Sequence, residues 1–165
     1  MVADSPDVDP MPLDQDPVLL IQVLSRSLAD RMMEDLAASG LGDVRESDGY
    51  VFQHLLPGPL PVGALADRLG ITQQGASKAL KDMEHRGLVR RVVDADDARV
   101  RLVGLTERAH DAVRSGRRTR REVAAEWDAL LGDRQAAALR RMLARAADHL
   151  GSSRAVADRT IGRPD

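Results

Sequence analysis

The sequence predicts a mainly α fold of the α+β class, and three observations predict it. Apolar residues recur at three- and four-residue steps over most of the chain, which is the period of an amphipathic helix. Glycine or proline closes each of these runs. A single pair of valine- and arginine-rich runs, Val89 to Val93 and Arg99 to Val103, is separated by Asp94-Ala95-Asp96-Asp97-Ala98 and reads as one hairpin.

Taken in order, residues 1 to 16 hold five aspartates and no base, and are expected to be a disordered acidic arm. From Pro17 to Ser39, Leu20, Val23, Leu24, Leu28, Met32 and Leu36 mark a long first helix ended by Gly40 and Gly42. A second helix starts after Ser47, a candidate N-cap, and is stopped by Pro57, Gly58, Pro59 and Pro61. A short third helix spans Val62 to Leu69 and ends at Gly70. Thr72 caps a fourth helix that runs to about Arg86, and Gly87 closes it.

The hairpin follows, and Thr106 then caps a fifth helix carrying Ala109, Ala112, Val113, Val123, Trp127 and Leu130. After Gly132 and Asp133 a sixth helix places Leu139, Leu143, Ala146 and Leu150 on one face. The resulting fold is a winged helix-turn-helix (61–106) with a two-stranded wing, flanked by long dimerisation helices at both ends (17–39 and 106–150). All of it forms one domain over 17–150, with a flexible tail over 151–165.

Composition narrows the chemistry. With 43% hydrophobic but only 2% aromatic residues, the core is expected to rest on Leu, Val, Ala and Met. Without cysteine there is no disulfide, thiol switch or zinc-thiolate site. His54, His85, His110 and His149 are scattered without metal-ligand spacing, so no metal and no cofactor are expected. No nucleophile elbow, phosphate loop or dinucleotide fingerprint occurs, which argues against an enzyme. No apolar run nears the ~20 residues of a membrane span, and the acidic start is unlike a secretory signal, so a cytoplasmic location is expected. The net charge of -2 divides into the acidic arm and a body of +3. Apart from Lys78 and Lys81, every basic residue of that body other than histidine is arginine.

Two helices crossing steeply at a turn need small residues where they touch. Counting from Val62, Ala66 is fifth, Gly70 ninth and Ala76 fifteenth, while Leu65, Leu69, Ile71, Leu80 and Met83 supply the rest of the inner face. If Ala76, Ala79, Leu80 and Met83 point inward, then Gln73, Gln74, Ser77, Lys78 and Lys81 point outward beside Thr72. Glutamine amides suit adenine edges, lysine and serine suit bases or phosphates, and the free N–H groups at Thr72 suit a phosphate. A solvated polar face is the alternative. Gly75 costs about 1 kcal/mol of helix propensity, which suggests a close approach of the backbone.

In the hairpin, Arg90, Arg91, Arg99 and Arg101 form a basic ribbon. Arg99 is the candidate for a minor groove, with Asp97 placed to orient its guanidinium and Arg90, Arg91 and Arg101 in support. A charge-protected edge hairpin is the other reading.

The runs Leu65-Ala66-Asp67-Arg68-Leu69-Gly70-Ile71-Thr72 and Lys81 to Val89, then Asp97-Ala98-Arg99 with Leu105-Thr106, resemble the MarR family of bacterial transcription regulators. The resemblance covers roughly Pro17 to Leu150. It implies a sequence-specific, double-stranded-DNA-binding homodimer, a repressor of a palindromic operator that a small-molecule effector relieves. The first, fifth and sixth helices would form its dimer interface. One position departs: three residues before Arg99, where family wings often carry another arginine, stands Asp96. By resemblance Tyr50, His54, Arg114 and Trp127 lie near the effector region, although each has a plain packing or surface explanation. Independently of family, the outer helices carry apolar stripes that a ~45-residue winged helix cannot cover, and a second copy would bury them. The cluster Arg114, Arg117, Arg118, Arg120 and Arg121 could flank DNA, pair with acids or stay solvated. A protein-interaction module built on the same winged lobe is the competing function.

Overall fold

The computed structural model describes residue 12 and residues 15–93 and 101–151. Its elements are α1 (Pro17–Ala38), α2 (Asp48–Leu55), β1 (Leu60–Pro61), α3 (Val62–Leu69), α4 (Gln73–His85), β2 (Val89–Val93), β3 (Arg101–Leu105) and α5 (Glu107–His149).

Helix α1 begins where Asp16 Oδ1 accepts hydrogen bonds from Val18 N (3.0 Å) and Leu19 N (2.9 Å), with proline in the first helical position. Asp16, expected to belong to a featureless arm, thus has a structural role. The helix ends at Gly40, whose φ of 75° lets Leu41 N reach back to Leu36 O at 2.9 Å. Ser47 sits at the N-cap of α2 but makes no side-chain capping bond. Asp48, the first residue of α2, ties down the preceding turn instead, its carboxylate accepting from Arg45 N at 2.8 Å.

The sheet has three strands in the order β1-β3-β2, all antiparallel. The expected pair is β2 with β3, in the register Val89 to Leu105 and Val93 to Arg101. The third strand, β1, is an addition beside β3 to the expected two-stranded wing. It is two residues long and includes Pro61, so its ladder is too short to leave a period-2 pattern.

The span labelled α5 is two helices that join at Gly132, whose backbone is not helical (φ 73°, ψ 158°). The fifth and sixth helices of the sequence therefore meet at that residue with no loop between them. Thr106 caps α5 by accepting from Ala109 N at 3.3 Å, and donates the same hydroxyl to Gly87 O at 2.6 Å. One side chain ties the Gly87-Leu88 turn after α4 to the start of α5.

The core gathers Leu36, Val51, Phe52, Leu55, Leu65, Leu80, Met83, Leu88 and Val103 between α1, α2, α3, α4, α5 and the sheet. Phe52 is the aromatic exception to the expected Leu, Val, Ala and Met composition. Helix α5 runs beside α1, where Arg31 grips Glu126 with two bonds of 2.7 and 2.8 Å. Deeper in the same seam Thr119 Oγ1 donates to Asp35 Oδ2 at 2.5 Å. Gly116 allows the close approach, because a Cβ there would lie 3.2 Å from Met32 Cε.

Candidate nucleic-acid interface

Helix α3 buries Leu65, Ala66 and Leu69, and α4 buries Ala76, Leu80 and Met83 against it. Between them Gly70 takes φ 66° and Ile71 N bonds Ala66 O at 3.1 Å, the tight turn that the small residues were expected to allow. Two inward assignments fail. Ile71 is 41% exposed because it leaves the turn on the outer side, and Ala79 is exposed because it sits beyond the edge of the stripe set by Ala76, Leu80 and Met83.

The outward set behaves as a group. Thr72, Gln73, Gln74, Ser77, Lys78 and Lys81 are all exposed, from the N-cap into the third turn of α4. Thr72 Oγ1 caps the helix by accepting from Gly75 N at 3.1 Å. A Cβ on residue 75 would lie 3.2 Å from that oxygen, so the glycine already has an intramolecular reason to be there. Among the described residues neither Lys78 nor Lys81 makes an ion pair. The cationic ends are left for an outside anion.

On the sheet, Arg90, Arg91 and Arg101 are exposed. Arg91 Nε lies 3.6 Å from Glu84 Oε2, which turns it back toward α4, while Arg90 stands opposite Gly104 and Arg101 opposite Val93. Arg99 and Asp97, with Asp96, lie outside the described residues.

What aims α4 is a cluster of charges that sequence reasoning missed. Arg86, its C-cap, donates to Asp48 Oδ2 (2.6 Å) and Oδ1 (2.9 Å), to Asp82 Oδ2 (2.7 Å) and to the carbonyl of Asp43 (2.9 Å). The Arg86 and Asp48 side chains are only 10% and 5% exposed. Arg45 adds a bond to Asp82 Oδ2 at 3.0 Å, and Arg108 of α5 reaches Asp43. Donating to Asp48 raises the Arg86 guanidinium above its ordinary range, and hydrogen bonding from Arg86 holds the Asp82 carboxyl below its own. The end of α4 is thereby clasped to the start of α2 and, through Asp43, to α5. Only the pairing of Arg86 with Gly87 at a helix end is visible locally; Asp48 lies 38 residues away.

The four effector candidates are dispersed. His54 is fully buried in the core, Tyr50 borders a groove beside α4, Arg114 pairs with Glu107 and Asp111 on α5, and Trp127 is half-buried further along α5. A cavity of about 310 Å³ between α1, α2 and α5 holds none of them. Its floor is Met32, Met33, Leu36, Phe52 and Leu56, and Arg45, Arg117 and Arg120 also line it. Gln53, on the same wall, has its amide nitrogen buried without a hydrogen-bond partner. Of the α5 arginine cluster, Arg114 and Arg118 meet acids of their own helix, and Arg117 and Arg120 face this cavity.

No curated protein sequence matches the chain. Solved structures do. The YusO protein from Bacillus subtilis superposes with a TM-score of 0.64 at 21% identity, over 82% of this chain and 95% of that one. S. aureus MepR in a DNA complex gives 0.62 at 22%, over 79% and 95%. Streptococcus pneumoniae FabT in complex with DNA gives 0.65 at 16%, over 85% and 98%. These likenesses establish a shared fold along nearly the whole described chain. Residues 43–100 match the MarR family model, and the fold is one the chain shares with YusO, MepR and FabT.

Proposed function

We propose that the protein is a homodimeric, sequence-specific DNA-binding transcription regulator that represses from a palindromic operator and is relieved by a small molecule. The observation that carries this reading is the outer face of α4, where Gln73, Gln74, Ser77, Lys78 and Lys81 stand exposed together with no acid pairing either lysine among the described residues. An α-helix presenting amides and cations in this way fits a major groove. Two of the similar structures, MepR and FabT, were solved with DNA. Arg99, oriented by Asp97, is assigned to the adjacent minor groove, with Arg90, Arg91 and Arg101 in support. The reaction is binding rather than catalysis, and its place is the cytoplasm.

The dimer is inferred from α1, whose Val18, Ile21, Val23 and Leu24 are exposed near its N-terminal end. A two-fold partner would cover them and set two α4 helices about one turn of DNA apart, which matches a palindrome. The effector is assigned to the α1–α2–α5 cavity rather than to the four dispersed residues. Selection of bound duplexes from a random pool with purified protein tests the reading. Enrichment of an inverted repeat with half-site centres roughly 34–36 Å apart is the expected result. Recovery of no sequence above background would overturn it.

A further inference from the structure

The chain meets almost every need for a cation with arginine, and its only two lysines, Lys78 and Lys81, stand one turn apart on α4 with both side chains exposed. Among the described residues neither lysine is in an ion pair. The acids that follow them on the helix are already engaged: Asp82 accepts from Arg86 and Arg45, and Glu84 lies 3.6 Å from Arg91 Nε. The two kinds of cation differ in chemistry. A lysine amine is a nucleophile that an activated acyl group converts to a neutral amide, whereas a guanidinium stays charged. The pairs that hold the lobe together, Arg86 with Asp48 and Asp82, Arg45 with Asp82 and Arg108 with Asp43, are all made by arginine. Acylation of side-chain amines therefore leaves that frame untouched and falls on the outer face of α4. With His85 neutral, α4 has two lysines against Asp82 and Glu84, so it carries no net charge, and it becomes acidic once both amines are acylated.

We propose that Lys78 and Lys81 are an acylation switch on the reading helix: transfer of a short acyl group from an acyl thioester or acyl phosphate turns a neutral, lysine-tipped helix into an acidic one that phosphate repels. In the transfer the Nζ lone pair forms the new C–N bond and the C–S or C–O bond to the donor breaks. The proton shed by nitrogen is taken up by the departing thiolate or phosphate. The inference rests on the reading of α4 as the DNA-contacting element. If each lysine neutralises one phosphate, each contributes about 0.9 power of salt, and losing both weakens duplex binding about 30-fold per α4 at about 0.15 M salt.

The test incubates the full chain with acetyl phosphate and, separately, with acetyl-coenzyme A, and locates the acetyl groups by peptide mass. Acetylation of Lys78 and Lys81 is expected, and the donor that acts identifies the source. The acetylated chain is expected to bind a selected duplex about 30-fold more weakly, with a shallower salt dependence and an unchanged melting temperature. Lys78→Arg with Lys81→Arg keeps the charge and is expected to hold its affinity through the same treatment. Neither lysine acetylated by either donor, or full affinity in a chain acetylated at both, overturns the proposal. An equal loss in the arginine variant, or a fallen melting temperature, overturns it too, by placing the effect at the terminal amine or in the fold. An untreated chain that binds no duplex refutes the reading of α4 itself, and is told apart because it is seen before any treatment.

Discussion

The winged lobe and the helical arms spend their apolar residues in opposite ways. In the lobe Leu65, Leu80, Met83, Leu88 and Val103 are at most 2% exposed, closed in by α2, α3, α4 and the sheet of the same chain. In the arms Val18, Ile21 and Leu24 on α1 are 64, 48 and 47% exposed, and Leu130 and Met142 on α5 and Leu150 at its C-cap are 81, 60 and 77% exposed. A lobe of this kind is finished by its own sequence. The arms have a helical pattern that makes sense only against another surface, and the proposed dimer supplies one.

The contrast can be broken most forcefully at the clasp. Arg86→Ala leaves the buried Asp48 carboxylate unpaired and is expected to cost about 3–5 kcal/mol, read from the denaturant midpoint. Next in size is Leu80→Ala, a cavity in the lobe core, expected to cost about 2–5 kcal/mol; Leu130→Ala on the arm is expected to stay within roughly 0.5 kcal/mol at concentrations where the chain is monomeric. If the two losses were equal, the division between lobe and arms would be wrong. Ile21→Asp with Leu24→Asp sharpens the other half: light scattering is expected to give the mass of one chain, with the lobe's own unfolding transition retained. Thr72→Ala removes the cap of α4 and is expected to cost about 1 kcal/mol.

The smallest expected effect is on pH. Arg86 holds the Asp82 carboxyl below its ordinary value in the folded chain, so the stability it contributes is present above the usual carboxylate range and disappears as pH falls through the folded value. Acid titration of stability should therefore show the Asp82 contribution present at about pH 5 and lost only below the usual carboxylate value of about 4, and Asp82→Asn should flatten that limb.

The same two regions differ in how much the sequence disclosed. Helices α3 and α4 were legible almost to the residue because Gly70 and Gly87 end them, Thr72 begins the second, and the buried side recurs with helical period. Failures there sat at edges, as with Ile71 and Ala79, where a period assigns a direction but not the depth of the neighbouring element. The break at Gly132 was legible as a stop, though not as a break without a loop. Strand β1 was hidden by its two-residue length. Asp16 looked like one more acid of the arm until its carboxylate met the first turn of α1. The clasp and the cavity were invisible for a different reason. Asp48 and Arg86, like Met32, Gln53 and Arg120, come from separate elements, and only the packing of α2 against α4 and α5 brings them together.

Whether the outer face of α4 grips DNA is tested most directly by the salt dependence of duplex binding in the wild type and in Lys78→Ala with Lys81→Ala. The plot of log affinity against log salt is expected to lose about 0.9 in slope for each phosphate contact removed, with thermal stability unchanged. An unaltered slope and affinity in the double variant would contradict the assignment of α4 as the reader.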